Sequence, residues 1–446
     1  MAAAAGVVAA VCSGLANGSW NLPTKPDAPK SVYAGKVWAW ENIWMVRAGR
    51  PGTHVARRAR LPDTRPSRSR RVTPTQPDVR APSPTVTQVA NVMIPVFNTV
   101  FVLAVVGPRT LGAVYAAAEP AQMAAIIVPS IFWGFGGVGF GQSIKRLGVA
   151  LGTSIVMGII VVIGTALPAI MDARRLSTTQ AAGAASGVCL GVAGFVLGAR
   201  AGMLRDAASD AAKTSEAKKS AGDDAMTAAR ATAAATAAAT AFPVDAEAAD
   251  PDGASVAVVE PAEPVSAATD ETYDFWGSMV WCLIGGVLSS MLQFAFVFGG
   301  GLVDVARAKG VPDAAATMPI WLLCFLFNAV GHCGYAARLL VVNGTWRRFR
   351  EATRAETFHA ACMCALMALA MPFHIHTYGV GATLMGDAGA VFAWPVVMSA
   401  TVFTAQAWSV VLGEFKGAPV EATRANRWSL ALLVSSVAVV AATGTA

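Results

Sequence analysis

Ten apolar stretches punctuate this 446-residue chain, each close to the roughly 20 residues that an α-helix needs to cross about 30 Å of hydrocarbon. They run from Met1 to Leu22, Val89 to Val106, Ala121 to Ile144, Leu147 to Met171, Ala181 to Ala199, Phe275 to Val303, Thr317 to Ala337, Phe358 to Tyr378, Ala388 to Leu412 and Trp428 to Ala446. A chain that is 55% apolar and 14% charged, with a mean hydropathy of +0.52, has too little polar surface to fold in water at this length. The reading is an all-α integral membrane protein with ten transmembrane helices. The first run is Ala-rich and lacks a basic n-region, so it reads as a retained span rather than a cleaved leader.

The second run is short by itself, and what precedes it is foreign to a membrane. Val46 to Gln88 carries ten Arg, seven Pro and two Asp with no apolar period. That stretch holds the entire basic excess, since without it 24 basic residues face 25 acidic ones and the net charge moves from +7 to −1. The basic balance therefore does not point to nucleic acid. Excising the stretch joins Trp38–Met45 to Val89 and gives WAWENIWMVANVMIPVFNTVFVLAVV, a complete helix with Glu41 in its first turns. A Val codon begins with GT and a Gln codon can be CAG, the usual ends of an intron, and 43 codons keep the frame. Two origins stay open: a retained intron of a eukaryotic gene, or a genuine disordered cytosolic insert.

Short loops carrying Lys and Arg face the cytosol. Here they follow the odd-numbered runs: Lys25, Lys30 and Lys36, then Lys145 and Arg146, then Arg338, Arg347, Arg348, Arg350 and Arg354, then Lys416, Arg424 and Arg427. Both termini are therefore expected on the non-cytosolic side of a plasma or organelle membrane. A Pro-containing linker over 205–274, with fourteen acids and five bases, separates five runs (1–204) from five (275–446). Its Ala-rich part from Asp206 to Ala241 suits a surface helix. An odd number of crossings reverses the second half, which is the plan of an inverted five-helix repeat. A faint echo between Leu147–Gly158 and Ala388–Ser399 fits it. In IFWGFGGVGFGQSI, Gly134, Gly136, Gly137, Gly139 and Gly141 suit close helix approach in lipid.

A charge at mid-bilayer costs about 2.5–3.5 kcal/mol on insertion scales, and no Lys, Arg, Asp or Glu lies deep in any run. Candidates for proton coupling are therefore Glu41, His332, His374, His376 and Glu414. On a helix His374 and His376 diverge by about 200°, so they cannot share a ligand. Sugars are held by amides and by aromatic faces against their C–H side. Trp20, Asn21, Trp133, Gln142, Gln293, Asn328, Gln406 and Trp408 supply both, although bonds between helices compete for each amide. The seven Cys show no C-x-x-C pair, and no nucleophile–base pair or phosphate loop is visible. Neither an enzyme, a metal site nor a cofactor is expected.

Several pieces recur in order and at similar spacing in a known family. They are Pro23 with Lys25, the W-x-W-E-x-x-W of Trp38, Trp40, Glu41 and Trp44, WGFGGVGFGQSIKRLGVALG, IGTALPAI, ARAGMLRD, ARAKGVP at Ala306–Pro312, Met398-Ser399, GEF and VAVVAATG. With these the chain resembles the bacterial L-rhamnose/proton symporter family of the drug/metabolite transporter superfamily. The resemblance implies ten helices in two inverted five-helix repeats and proton-driven uptake of a deoxy or related sugar by alternating access. Around PFHIHTYGVGATLMGD the chain departs from that pattern, which bears on which sugar is carried. The partners expected are a small neutral sugar, protons and the lipid bilayer, with no nucleic acid. Exchange of phosphorylated or nucleotide sugars, which needs deep cations, and a non-transporting membrane scaffold are the alternatives.

Overall fold

The computed structural model describes residues 2–19, 85–171, 176–240, 275–342, 354–386 and 388–444. Glu41, Trp20, Asn21 and most of the Arg/Pro stretch lie outside the described residues. All regular elements among them are helical: α1 (Ala2–Ser19), α2 (Thr85–Val106), α3 (Pro108–Ala117), α4 (Pro120–Met171), α5 (Thr178–Thr240), α6 (Phe275–Ser289), α7 (Met291–Phe298), α8 (Gly300–Ala308), α9 (Met318–Val342), α10 (Arg354–Leu384), α11 (Gly389–Val411) and α12 (Val420–Gly444), with one 3₁₀ turn at Asp313–Ala315. Among the described residues, eight helical segments are long and apolar enough to cross a membrane, or nine if the bent pair α2–α3 is one span. The chain is a multi-pass membrane protein by this measure. The helix α10 stands outside that count, yet at 31 residues it is about 46 Å long.

Some boundaries differ from those drawn on the sequence. The helix α2 starts at Thr85, inside the Arg/Pro stretch. It ends in a 94° bend to α3, where Gly107 takes φ +83° and Pro108 opens the next helix, a conformation that a side chain at Gly107 would strain. The third and fourth runs form one continuous element, α4, which folds back on itself. A Cβ on Gly152 would lie 2.8 Å from the carbonyl oxygen of Ser143, nine residues away and about 13 Å apart on a straight helix. Its arms, Pro120–Ile144 and Leu151–Met171, both reach α6, Gly139 against Gly285 and Ile159 against Gly286. The fifth run continues past the apolar part as helix to Thr240.

In lipid, close packing rather than hydrophobicity holds helices together, and small residues permit it. The α5–α12 pair is the clearest case. Gly183, Gly187, Gly191, Gly194 and Gly198 recur every three or four residues on α5 and meet Thr443, Val440, Ser436, Leu433 and Ser429 in turn. The groove lets Ser436 donate to the Gly187 carbonyl at 2.7 Å and Ser429 to the Gly194 carbonyl at 2.6 Å. The glycines of the first α4 arm divide between two neighbours. Gly134 and Gly137 take the α9 backbone and His332, while Gly136 and Gly139 take Ser289 and Gly285 of α6.

These contacts also give directions. As numbers rise along α5 they fall along α12, so that pair is antiparallel. Gly6 and Ser13 of α1 meet Gly381 and His374 of α10 in the same descending sense, whereas Gly14 and Gly18 meet Val397 and Thr401 of α11 in ascending order. Being antiparallel to α1 while α11 is parallel to it, α10 traverses the bundle in its own right.

Candidate functional site

Where α7, α9, α10 and α11 converge, aromatic rings form a connected buried cluster. Phe296 stacks on Trp321 with centroids 4.9 Å apart and planes 5° from parallel. Tyr378 leans on Phe296 at 5.0 Å and on Trp321 at 5.9 Å, and meets Trp394 edge-on at 5.4 Å. The first and last of these residues stand nearly a hundred positions apart, and the helices bring them to one place. Phe296 lies on α7, the short piece between interruptions at Ser290 and Gly299, in the kind of broken span that lines binding sites in carriers.

Each ring with a polar tip needs a partner in so dry a place. The Tyr378 hydroxyl donates to Gln293 Oε1 at 2.6 Å, and Gln293 Nε2 donates to the Ala390 carbonyl at 3.3 Å. Trp394 Nε1 donates to the Ile160 carbonyl at 3.3 Å, across to the second α4 arm. Trp321 is the exception. It is fully buried, yet its Nε1–H has no partner, and neither has the hydroxyl of Thr317, 2% exposed. Both atoms lie over Gly379, close enough that a Cβ there would come within 2.5 Å of Thr317 Oγ1 and 2.7 Å of Trp321 Nε1. An orphaned N–H in an apolar interior costs about 1–3 kcal/mol. A donor and a hydroxyl left open side by side, against an aromatic stack, is an arrangement that a hydroxylated ligand or ordered water completes.

One turn before Gly379 on α10 stands His376, 5% exposed. Asn98 of α2 donates its Nδ2 to the Trp321 carbonyl at 3.3 Å, which turns its Oδ1 toward His376 Nε2 at 2.9 Å. An amide oxygen only accepts, so Nε2 carries the proton and Nδ1 holds a lone pair. That Nδ1 is buried and without a partner. Phe101 packs on the ring at 5.0 Å.

His374, two residues earlier, faces α1 as its spacing requires. Ser13 donates its hydroxyl to the His374 carbonyl at 2.8 Å, while His374 Nδ1 reaches the Ser13 carbonyl at 3.1 Å and Ser13 Oγ at 2.7 Å. Both histidines are buried well inside α10, which runs on to Leu384, and not at its boundary. His332 pairs through Nδ1 with Asn328 Oδ1 at 2.8 Å on its own helix and faces Gly137 with Nε2. Glu414 forms an ion pair with Arg205 at the end of the apolar part of α5, and Arg205 also lies over the Phe415 ring.

The remaining amides and indoles are spread over separate helix contacts. Gln142 bonds Tyr335 between the first α4 arm and α9. Trp133 meets Phe325 edge-on in the same contact, centroids 5.6 Å apart. Gln406 accepts from Ser429 between α11 and α12, and Trp408 donates to Ser19 between α11 and α1. Of the sugar-binding candidates among the described residues, only Gln293 belongs to the aromatic cluster. The sequence reading did not single out Thr317, Trp321, Phe296, Tyr378, Trp394 or Asn98. Asn98 could have been found as an amide in an apolar run, whereas a lone aromatic there looks like any core residue. No protein-family model, curated protein or solved structure matches the chain.

Proposed function

We propose that this protein is a secondary carrier of a small neutral sugar, L-rhamnose or a related deoxy sugar, driven by protons through alternating access. The observation that carries the reading is the unpartnered donor–hydroxyl pair of Trp321 and Thr317 beside a stacked aromatic face, in an interior where no Asp, Glu, Lys or Arg is buried among the described residues. An aromatic plane suits the C–H face of a pyranose, and the open N–H and hydroxyl suit its oxygens. A site of this kind discriminates strongly, since an analogue lacking the matched hydroxyl leaves buried groups unpaired.

The packing supports ten crossings in two oppositely inserted halves. Number the crossings in order, with the α4 arms as third and fourth and α6–α8 as the sixth. Exchanging each crossing with the one five later then leaves the main contacts unchanged. α1 on α10 and α11 exchanges with the sixth crossing on the two α4 arms. α2 on α10 exchanges with the first α4 arm on α9, and α4 on α5 with α11 on α12. α5 with α12, and α2 with α9, map onto themselves. Relative directions agree wherever several contacts define them, because crossings of like parity are parallel and of unlike parity antiparallel. Exchange of phosphorylated or nucleotide sugars is disfavoured by where the cations sit. Arg146 lies over Trp281 at the turn of α4, Arg205 pairs with Glu414, and Arg307 pairs with Asp304 and Asp313 at the end of α8.

The test is reconstitution of the purified chain, with and without residues 46–88, into proteoliposomes under an imposed pH gradient and a panel of labelled sugars headed by L-rhamnose. Accumulation above protein-free vesicles that collapses with a protonophore is expected. A panel that nowhere exceeds protein-free vesicles overturns the carrier reading and leaves the scaffold.

A further inference from the structure

We propose that His376 is the group that takes up the co-transported proton, at Nδ1, with Asn98 holding the ring in the tautomer that makes this possible. The inference rests on the carrier reading above and adds the coupling residue to it.

Of the coupling candidates among the described residues, His376 is the one whose buried ring nitrogen has no partner. His374 is held by Ser13, His332 by Asn328, and Glu414 by Arg205. Among the described residues, none with a formal charge is in recorded contact with His376. From α2 it meets Asn98 and Phe101. Through Asn98 it is joined to the Trp321 carbonyl of α9. The titratable groups nearby are occupied or turned elsewhere: Tyr378 on Gln293, Tyr115 of α3 on the Pro319 carbonyl, and His374 on α1. No ion pair among the described residues involves the ring.

The coupling follows from this arrangement. With Asn98 Oδ1 fixed by its other amide bond, Nε2–H stays a donor throughout, so a proton arriving from the aqueous side can form its N–H bond only at Nδ1. The imidazolium then carries a second donor at Nδ1, which has no hydrogen-bond partner in the protein. A charged donor buried without an acceptor is costly, and a sugar oxygen bound over Thr317, Trp321 and Gly379, one helical turn away, supplies one. Proton and sugar therefore stabilise each other's binding, and by linkage the effect is mutual. When the site opens to the cytosol the sugar departs, the acceptor is lost, and Nδ1–H gives its proton to water. No other bond changes.

The experiment measures protons moved per L-rhamnose in de-energised proteoliposomes of the full chain, from the pH change that accompanies downhill entry. This ratio does not depend on affinity. The wild type is expected to move protons with the sugar, and His376→Gln to move residual sugar with none. A ratio unchanged in His376→Gln overturns the proposal while leaving the carrier reading intact. Absence of entry by every sugar of the panel in the wild type defeats the carrier reading first, and where another sugar of the panel enters, the ratio is measured with that one. Should His376→Gln carry no sugar at all, Asn98→Asp decides. A carboxylate at Nε2 favours the imidazolium, so the pH above which coupled uptake declines should move up by about one unit or more. An Asn98→Asp midpoint equal to wild type overturns the proposal.

Discussion

Replacing Gly139 by Ala adds one methyl group at the point where the first α4 arm meets α6, and the cost follows from the geometry. The new carbon would lie 2.8 Å from both N and Cα of Gly285. Carbon atoms rest at about 3.5–4.0 Å, and both atoms met are backbone, so no rotamer relieves the clash and the helices must part by roughly 1 Å. A gap of about 0.5–1 Å forfeits a quarter to a half of the contact attraction along the seam, and misfits of this kind cost about 1–3 kcal/mol. Better helix propensity returns about 0.5–1 kcal/mol. The net expectation is a loss of up to about 2.5 kcal/mol, whereas Gly158→Ala, where nothing lies within 4 Å of the added carbon, gains up to about 1 kcal/mol from propensity alone. Thermal unfolding of the two variants, side by side in the same detergent, checks this. A second methyl in Gly139→Ala/Gly285→Ala should cost less than the sum, because the seam is opened once. If Gly139→Ala unfolds at or above the temperature of Gly158→Ala, the glycine-seam account of this bundle is wrong.

The two tryptophans of the aromatic cluster separate binding from folding. Trp321→Phe keeps the stack on Phe296 and breaks no protein hydrogen bond, so its stability should hold while sugar affinity falls about tenfold, the worth of one hydrogen bond at about 1–1.5 kcal/mol. Trp394→Phe removes the bond to the Ile160 carbonyl and should lower the unfolding temperature. Isothermal titration with L-rhamnose beside thermal unfolding reads both, and equal effects on stability would refute the contrast. At the end of the apolar part of α5, a double-mutant cycle on Arg205→Gln and Glu414→Gln should give a coupling of about 1 kcal/mol that shrinks with added salt. A coupling indifferent to salt would mean that packing of Arg205 on Phe415, rather than the charge pair, holds the helix ends.

What could be read without coordinates follows from the range of the interactions concerned. A helix in lipid satisfies its own backbone, so its existence depends on local composition alone, and the apolar runs announce α1, α9 and α11, and the start of α5, to within five residues. The ends are less legible because charge stops a membrane span without stopping a helix. Arg205 and Asp206 leave the hydrocarbon while the Ala-rich chain continues to Thr240, and α4 carries on as one helical element through Lys145-Arg146, between its two apolar arms. Gly137 and Gly141 advertised a seam by spacing, but spacing does not say that neighbouring glycines face two different helices. The aromatic cluster was hidden for a further reason. In Met318–Phe325 and Gly389–Ser399 the indoles sit among residues as apolar as themselves. Only the absence of a partner for Trp321 Nε1, a tertiary fact, separates it from Trp394.

The same contrast bears on how a carrier of this design would work. Alternating access needs two arrangements of nearly equal energy, and in the proposed repeat the packing that closes one side would have a counterpart that closes the other. Recognition needs the opposite, a site that differs from its own image. Across the contact between the second α4 arm and α11, one side offers Gly164 and the Ile160 carbonyl, the other the Trp394 ring that occupies them. The first α4 arm is lined with glycine, and its counterpart α10 carries His374, His376 and Tyr378. Backbone contacts thus repeat while side chains do not, and the open donor, hydroxyl and imidazole nitrogen all belong to the half beginning at Phe275. In the carrier reading, a ligand bound to those three groups is held by that half. It can bias the equilibrium only through groups that reach across, and Asn98 of α2, bonded at once to His376 and to the Trp321 carbonyl, is such a group. Loss of the Asn98 amide should therefore weaken the link between sugar occupancy and closure more than it weakens the helix contact itself.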